Sequence, residues 1–252
     1  PFTRLLCQGM VLNHIYSRKN EKGGIEYFWP EEVENVHDAK GTIVGAKLLK
    51  DGSTVQYGGI GTMSKSKNNG VDPQSLIDTM GADTARLFVM FASPPEQTLE
   101  WSDSGVDGAN RYLRRVWSYS HSHLAMVQAA TQAAAPDWST ADEATKTLRR
   151  EIYSLLKLAD YDYQRIQYNT VVSTCMKMLN TLESANLPDT AIAHQAIADT
   201  LGVLLRVLYP VVPHITWQIW NELGLNQRYG DLLDAPWPEV DEAALVADEI
   251  EL

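Results

Sequence analysis

The sequence predicts an α+β protein that is mainly α, with a small β-rich segment and a polar loop followed by an α-helical bundle. Residues 13–60 carry glycine-punctuated runs of strand-forming residues, and residues 61–70 are polar and bracketed by glycines. Residues 102–226 show apolar residues at helical spacing. We therefore divide the 252 residues into five segments: 1–12, 13–60, 61–101, 102–226 and 227–252.

Composition narrows the class of protein. The net charge of −11 argues against a general nucleic-acid binder, whose affinity would come from a basic face, so any RNA contact must use local clusters. No apolar run approaches the roughly 20 residues that cross a bilayer, and no signal peptide is visible, so we expect a cytoplasmic protein without a membrane contact. Cys7 and Cys175 are far apart and lack a CxxC partner, which predicts neither a disulfide nor a metal site.

The segment 13–60 has the pattern of a β-hairpin. Residues 42–49 and 54–57 are rich in strand formers, and Asp51 and Gly52 between them are a favoured turn pair. Lys47 and Lys50 on this segment could contact RNA. A solvated strand edge with a packing role only is an equally valid interpretation.

The polar stretch 61–70 predicts a mobile loop that binds an anion. Its lysines, hydroxyls and amides can converge on a phosphate group. Asp72 followed by Pro73 is the pattern of an N-cap and first helical residue, so a helix of about 73–80 is expected, ended by Gly81. The alternative is a polar surface loop in front of a capped helix.

Helices are predicted for most of the remaining chain. One covers about 83–92, and a second begins after Trp101 with apolar residues on one face. Off that face lie Arg111, Arg114 and Arg115, which are candidates for an RNA backbone; a solvated flank with salt bridges is the alternative. Residues 125–137 are interpreted as a fraying helix end and a connection.

Three further helices have the apolar spacing of a bundle. Thr140 with Glu143 predicts a capping box for the first, a helix near Tyr168 follows, and Asp189 is the expected cap of the third. Pro213 can open a last helix. His214 beside it is interpreted as a packed or capping group, and His121 and His123, two residues apart, make a poor metal pair.

The loop also carries a family resemblance. Met63-Ser64-Lys65-Ser66 and its continuation to Pro73 resemble the KMSKS loop of class I aminoacyl-tRNA synthetases. The stretches 81–94, 99–101 and 105–117 resemble the leucyl family of bacteria in particular, and 210–220 is similar to the end of its helical anticodon-binding domain. Valyl, isoleucyl and methionyl relatives, or a non-catalytic helical RNA-binding module, are the alternatives.

The resemblance implies an architecture and a set of residue roles. Residues 1–12 would end the class I nucleotide-binding domain, 13–60 would be the leucine-specific insertion, and 227–252 would lead to a further C-terminal domain. Lys65 would act in catalysis, and the loop would bind ATP through Met63, Ser64, Lys65, Ser66 and Lys67. The tRNA-binding residues, by the same resemblance and the helix pattern, would be Arg86, Arg111, Arg114 and Arg115.

The resemblance also implies substrates. The family joins leucine to tRNA(Leu) at the expense of ATP, with Mg²⁺ expected for the full enzyme and a monomer as the expected state. The chain departs from the family at Thr62, where lysine is usual. This difference affects how strongly the loop is expected to hold phosphate. It contains no His-x-Gly-His motif, the element that fixes ATP from the other side. We therefore expect a piece of a longer synthetase, inactive alone.

Overall fold

The structure is a computed structural model that describes Thr3 and residues 5–246. Residues 1, 2, 4 and 247–252, which belong to the first and last predicted segments, lie outside the described residues. The chain divides into two compact units. The first contains the residues up to Thr79 together with Pro95–Asp103, and the second contains Met80–Pro94 and the residues from Ser104 onwards. The predicted boundaries at residues 12, 60, 101 and 226 remain predictions.

The first unit is built on a sheet in which β1 is central. Its strands are β1 (Val11–Lys19), β2 (Ile25–Phe28), β3 (Val33–His37), β4 (Ile43–Leu48), β5 (Thr54–Thr62) and β6 (Leu99–Glu100). The order is β2-β1-β5-β4-β3 with antiparallel neighbours, and β6 pairs with β1 in parallel. The predicted hairpin is confirmed as β4 and β5, whose turn contains Gly52 at a φ of +71°.

A small apolar core holds this sheet together. It consists of Tyr16, Phe28, Ala46, Leu48 and Val55, contributed by four of the strands. Alternation along each strand places these side chains on one face, so a short segment can bury them without a long apolar run.

A close backbone approach fixes the entry into β1. The Gly9 N–H donates to Pro95 O at 2.8 Å, and a Cβ at Gly9 would lie 1.9 Å from Gln97 O. Any other residue would force the two segments apart. Glycine is therefore required here for space.

The helices begin in the first unit and continue through the second. They are α1 (Pro73–Met80), α2 (Ala82–Ala92), α3 (Asp103–Ser122), α4 (Leu124–Gln132), α5 (Glu143–Gln164), α6 (Tyr168–Ser184), α7 (Ala191–Leu208), α8 (Pro213–Glu222) and α9 (Leu225–Tyr229). The predicted mainly α fold is confirmed. Of the stretch 125–137, interpreted as a fraying helix end and a connection, residues 125–132 belong to a separate helix, α4, in which Val127 and Ala130 are buried, and the remaining residues form the connection.

The predicted apolar stripes form the bundle core, but two caps were assigned to the wrong residue. The N-cap of α5 is Asp142, whose carboxylate accepts the Thr145 N–H at 3.0 Å, and Thr140 belongs to a preceding 3₁₀ turn. The N-cap of α7 is Thr190, one residue after the expected Asp189. Asp189 instead lies 2.9 Å from His194.

One helix of the described residues, α7, is long and apolar enough to cross a membrane by length and composition. Of its 18 residues, 67% are buried inside the protein. It contacts α4, α5, α6 and α8, and its side chains supply much of the bundle core.

The residues after α9 lie along the bundle. The Trp237 indole donates to Asp160 at 2.7 Å, Arg206 donates to Pro236 O at 3.0 Å, and Arg149 pairs with Asp241 at 2.6 Å. These bonds hold the described part of the predicted 227–252 segment against α5 and α7.

Candidate functional site

The motif loop starts inside the sheet. Gly61 and Thr62 complete β5, and the Met63 N–H donates to Val11 O at 3.0 Å. Lys65–Lys67 then form a 3₁₀ turn that ends at Asn68, in the left-handed region with a φ of +50°. The predicted loop thus begins in strand pairing and contains a tight turn, which together satisfy much of its backbone hydrogen bonding.

Asn69 is the buried centre of this loop. Its side-chain carbonyl accepts the Ser64 N–H at 2.8 Å. Its amide nitrogen lies 3.3 Å from each of three backbone carbonyls, those of Asn13, Gly61 and Thr62. An unpaired buried polar group costs about 1–3 kcal/mol, so this network contributes substantially to holding the loop in place.

The neighbouring Asn68 bonds in another direction. Its side-chain amide donates to Tyr27 O in β2 at 2.9 Å. The hydroxyls of Ser64 and Ser66 lie 3.3 Å apart across the turn. The turn is thus attached to the sheet on two sides.

Two ammonium groups extend from the turn. Lys65 is exposed and Lys67 is half-buried, and neither forms an ion pair with a residue that the structure describes. An ammonium is a compact charge with three donors, so these side chains can bind the oxygens of an anion. The predicted cap after the loop is confirmed: Asp72 accepts the N–H groups of Gln74 and Ser75, at 3.3 and 3.1 Å.

A groove of about 840 Å³ lies beside the end of the loop, within the first unit. Its lining includes Gly70–Asp72 together with His14, Tyr16 and Trp29. His14 Nδ1 lies 3.0 Å from the Tyr57 hydroxyl, and the Tyr16 hydroxyl donates to Asn35 at 2.7 Å. Burial raises the pKa of Tyr16. Sequence reasoning missed this cluster, because its members lie on separate strands.

The four candidate arginines differ in their surroundings, and all belong to the second unit. Arg86 donates to Val211 O at 2.8 Å and to Pro210 O at 3.0 Å. Arg115 donates to Asn180 at 2.6 Å and forms an ion pair with Glu183. Arg111 and Arg114 are exposed and form no ion pair within the described part of the chain. These last two are the more available for a polyanion.

Asp83 and His214 form a contact that sequence reasoning did not predict as a pair. The Asp83 carboxylate accepts the Ile215 N–H at 2.7 Å and lies 2.8 Å from His214 Nδ1. Asp83 thereby caps the start of α8 from another helix. The interpretation of His214 as a packed or capping group is wrong, because its side chain is exposed and the capping carboxylate is that of Asp83.

The other histidines of interest lie on α3 and beside it. His121 stacks on Trp117 and lies 2.7 Å from Glu222, and His123 stacks on Tyr119. Within Thr3 and residues 5–246, no group of three or more His, Cys, Asp or Glu side chains could hold a metal ion.

Two family models match the chain. The model for tRNA synthetases class I (I, L, M and V) matches residues 47–102, which include the motif loop. The model for the anticodon-binding domain of tRNA ligase matches residues 145–252, which include α5 to α9. The two matches coincide with the loop region and with the bundle.

Curated relatives match over all 252 residues. The chain is 75% identical to a leucine–tRNA ligase of Bordetella petrii, 73% to one of Bordetella pertussis and 62% to one of Leptothrix cholodnii. In each case the match covers 100% of this chain and 28% of the relative. The chain therefore spans less than a third of the length of these relatives.

A solved structure has the same fold. It is the ternary complex of Agrobacterium radiobacter K84 agnB2 LeuRS with tRNA and LeuAMS, with a TM-score of 0.66 and 24% sequence identity. The match covers 74% of this chain and 23% of that one. Over its whole length the chain is therefore similar to a segment of leucine–tRNA ligases, and its residues 47–102 match the class I tRNA synthetase model.

Proposed function

We propose that this chain supplies the phosphate-binding loop and the tRNA-facing helical bundle of a leucine–tRNA ligase. The observation that carries the proposal is the exposed Lys65 ammonium, held on a turn whose backbone is fixed to the sheet by Asn69. The identity of 75% to a leucine–tRNA ligase over the whole chain supports the choice of leucine.

The reaction has two steps. The leucine carboxylate attacks the α-phosphate of ATP, so that a C–O–P linkage forms and the bond to pyrophosphate breaks. The terminal adenosine of tRNA(Leu) then attacks the leucyl carbonyl, and AMP leaves. Little covalent chemistry falls to the protein in such steps, and rate comes from positioning and from cations placed where phosphate charge develops.

Each loop residue has a role in this proposal. Lys65 donates to the phosphate oxygens as pyrophosphate leaves, and Lys67 adds a second, weaker charge. Ser64 and Ser66 contribute hydroxyl donors, and Met63 lies beside the adenine. Thr62 replaces a family lysine, so this loop has one cation fewer at its start.

In the proposed function, Mg²⁺ would bind together with the nucleotide and not at a separate protein site. The described residues offer no set of protein ligands for it, and Mg²⁺ in such enzymes is held largely by substrate phosphates and water. No step proposed for this chain's residues depends on the ion.

The tRNA would lie along the bundle as a polyanion. Arg111 and Arg114 are the candidates for its phosphates, since they are exposed and unpaired within the described residues. Arg86 and Arg115, whose guanidinium groups already bond within the bundle, would bind tRNA through their remaining donors. We propose a monomeric, cytoplasmic protein.

The test is amino-acid-dependent exchange of pyrophosphate into ATP by the full-length protein that contains this chain. Leucine should support exchange, while isoleucine, valine and methionine at equal concentration should support far less. The 252-residue chain alone should show none, because it has no His-x-Gly-His motif. Preference for valine, isoleucine or methionine would assign the chain to another branch. Absence of exchange with every one of these amino acids would favour a non-catalytic RNA-binding module.

A further inference from the structure

We propose that Asn69 is a positioning residue, which holds the motif loop in the one backbone arrangement that places the Lys65 ammonium at the phosphates. This inference rests on the proposed function and extends it to a residue whose side chain does not face the substrate. Asn69 is fully buried, with 0% of its surface exposed. It can therefore act only through the groups it touches.

The contacts of Asn69 join the two ends of the loop to the sheet. Its carbonyl oxygen accepts from Ser64, the residue just before Lys65. Its amide nitrogen faces carbonyls of Gly61 and Thr62 on β5 and of Asn13 on β1. One side chain thus bridges the strand before the loop, the neighbouring strand and the start of the 3₁₀ turn.

The chemistry of this position requires a primary amide of this length. Three carbonyls face the nitrogen, which carries two hydrogens, so at least one hydrogen is shared between two acceptors. The oxygen meets an N–H, so reversing the amide would bring like groups together. Aspartate has the same shape and keeps the acceptor, but its second oxygen would face three carbonyls without a hydrogen to donate.

Asn68 provides a matched comparison. It is the adjacent residue with the same side chain, and it makes a single amide bond, to Tyr27 O. Its φ of +50° is accessible to glycine, so Asn68→Gly removes that bond and leaves the backbone unstrained. If any amide in the turn served equally, the two positions would respond alike.

The first readout is kinetic and uses the full-length protein. Asn69→Ala and Asn69→Asp should each lower kcat for leucine-dependent pyrophosphate exchange by about 10²-fold, the cost of a small misplacement of a reacting group, with a smaller change in KM for ATP. Asn68→Gly should stay within about threefold of the wild type, because it leaves the Asn69 network intact.

A double-mutant cycle shows whether Asn69 acts through Lys65. Asn69→Ala is expected to act by misplacing the Lys65 ammonium. In the Lys65→Ala background that ammonium is absent, so adding Asn69→Ala should have little further effect on the rate. The double variant should therefore be nearly as active as Lys65→Ala alone, and not slower by the product of the two effects. A residue that merely stabilised the fold would slow both backgrounds equally.

The second readout does not depend on activity. Trypsin cleaves after lysine in segments that open, so the peptide bonds after Lys65 and Lys67 report on the order of the turn. Asn69→Ala and Asn69→Asp should be cut there at least about tenfold faster than the wild type and Asn68→Gly, at an unchanged thermal unfolding midpoint for the protein.

The outcomes distinguish failure of the proposed loop function from failure of the proposed role of Asn69. If Lys65→Ala leaves exchange unchanged, the proposed function of the loop is wrong. If Lys65→Ala is slow but Asn69→Asp has wild-type kcat and wild-type cleavage, only the role of Asn69 is overturned. Full multiplication of the two effects in the double variant would likewise overturn it. Should Asn69→Ala not fold, the isosteric Asn69→Asp decides the question alone.

Discussion

The bundle and the motif loop are stabilised by different kinds of contact. In the bundle, helices such as α6 and α7 bury nearly continuous apolar stripes, including Val171, Met178 and Leu201. In the loop, the centre is the amide of Asn69, and the contacts are hydrogen bonds to backbone groups. Apolar burial is non-directional, whereas hydrogen bonds require a distance and an angle.

This difference suits two tasks. A bundle that presents a surface to a large partner needs a rigid shape, which close packing provides. In the proposed function, the loop needs an ammonium at a defined point that is open to substrate, and the Lys65 side chain is exposed. A few directional bonds beneath the turn fix the backbone without covering the lysine.

The largest expected effect on stability lies in the bundle core. Leu201→Ala removes a side chain with 0% exposure and should lower the free energy of unfolding of the bundle by about 2–5 kcal/mol. Leu158→Ala is the matched control, since Leu158 on α5 is 43% exposed, and it should cost less than about 1 kcal/mol. Urea unfolding of the 252-residue chain, followed by circular dichroism, measures both. Equal losses would contradict a bundle held by its buried stripe.

A smaller effect comes from a carboxylate within the bundle. Asp199 accepts the Tyr153 hydroxyl at 2.8 Å, and burial raises the pKa of Asp199 above its usual value of 3.8. The folded state therefore keeps the proton longer than the unfolded state. Stability gained from this group is present below pH 3.8 and is lost as the pH rises through the folded pKa.

Asp199→Asn tests the sign of this pH dependence. The variant keeps an acceptor for Tyr153 but cannot ionise, so its stability relative to the wild type should increase between pH 4 and pH 7. Asp231 supplies a control of opposite sign, because the hydrogen bond from Trp217 lowers its pKa. Asp231→Asn should lose stability relative to the wild type as the pH rises toward 4 from below, and should change little between pH 4 and pH 7, because the lowered pKa of Asp231 places its titration below that interval. The measurement is the urea unfolding midpoint of each variant and of the wild type at pH 4 and at pH 7. If the midpoints of Asp199→Asn and of the wild type changed with pH by the same amount, ionisation of the buried Asp199 would not be the cause of the pH dependence.

Apolar spacing predicted the bundle because burial of a helix face depends on residue type and period alone. Val171, Cys175, Met178 and Leu182 recur at helical spacing in the sequence, and all four are buried on α6. The N-cap residues were harder to predict from sequence. Thr140, Asp142, Asp189 and Thr190 are all good capping residues, and only the chain direction at each helix start selects among them.

The loop was recognisable from its motif, but its support was not predictable. Lys65, Ser64 and Ser66 follow one another in sequence, so a pattern identifies them. The bonds from Asn69 to Asn13 and from Asn68 to Tyr27 join residues 56 and 41 positions apart. No local pattern carries such pairings, because the registers of β1 against β5 and of β2 against β1 bring the partners together. The Asp83 contact with His214 was missed for the same reason.

In the proposed function, the exposed Lys65 ammonium stabilises charge on ATP during activation of leucine. The most direct measurement is the single-turnover rate of leucyl-adenylate formation by the full-length protein at saturating ATP. Lys65→Ala should lower this rate by about 10² or more, as loss of a transition-state donor does. Lys40→Ala, another exposed lysine of the first unit, should leave it unchanged. A Lys65→Ala rate within about twofold of the Lys40→Ala rate would contradict the claim.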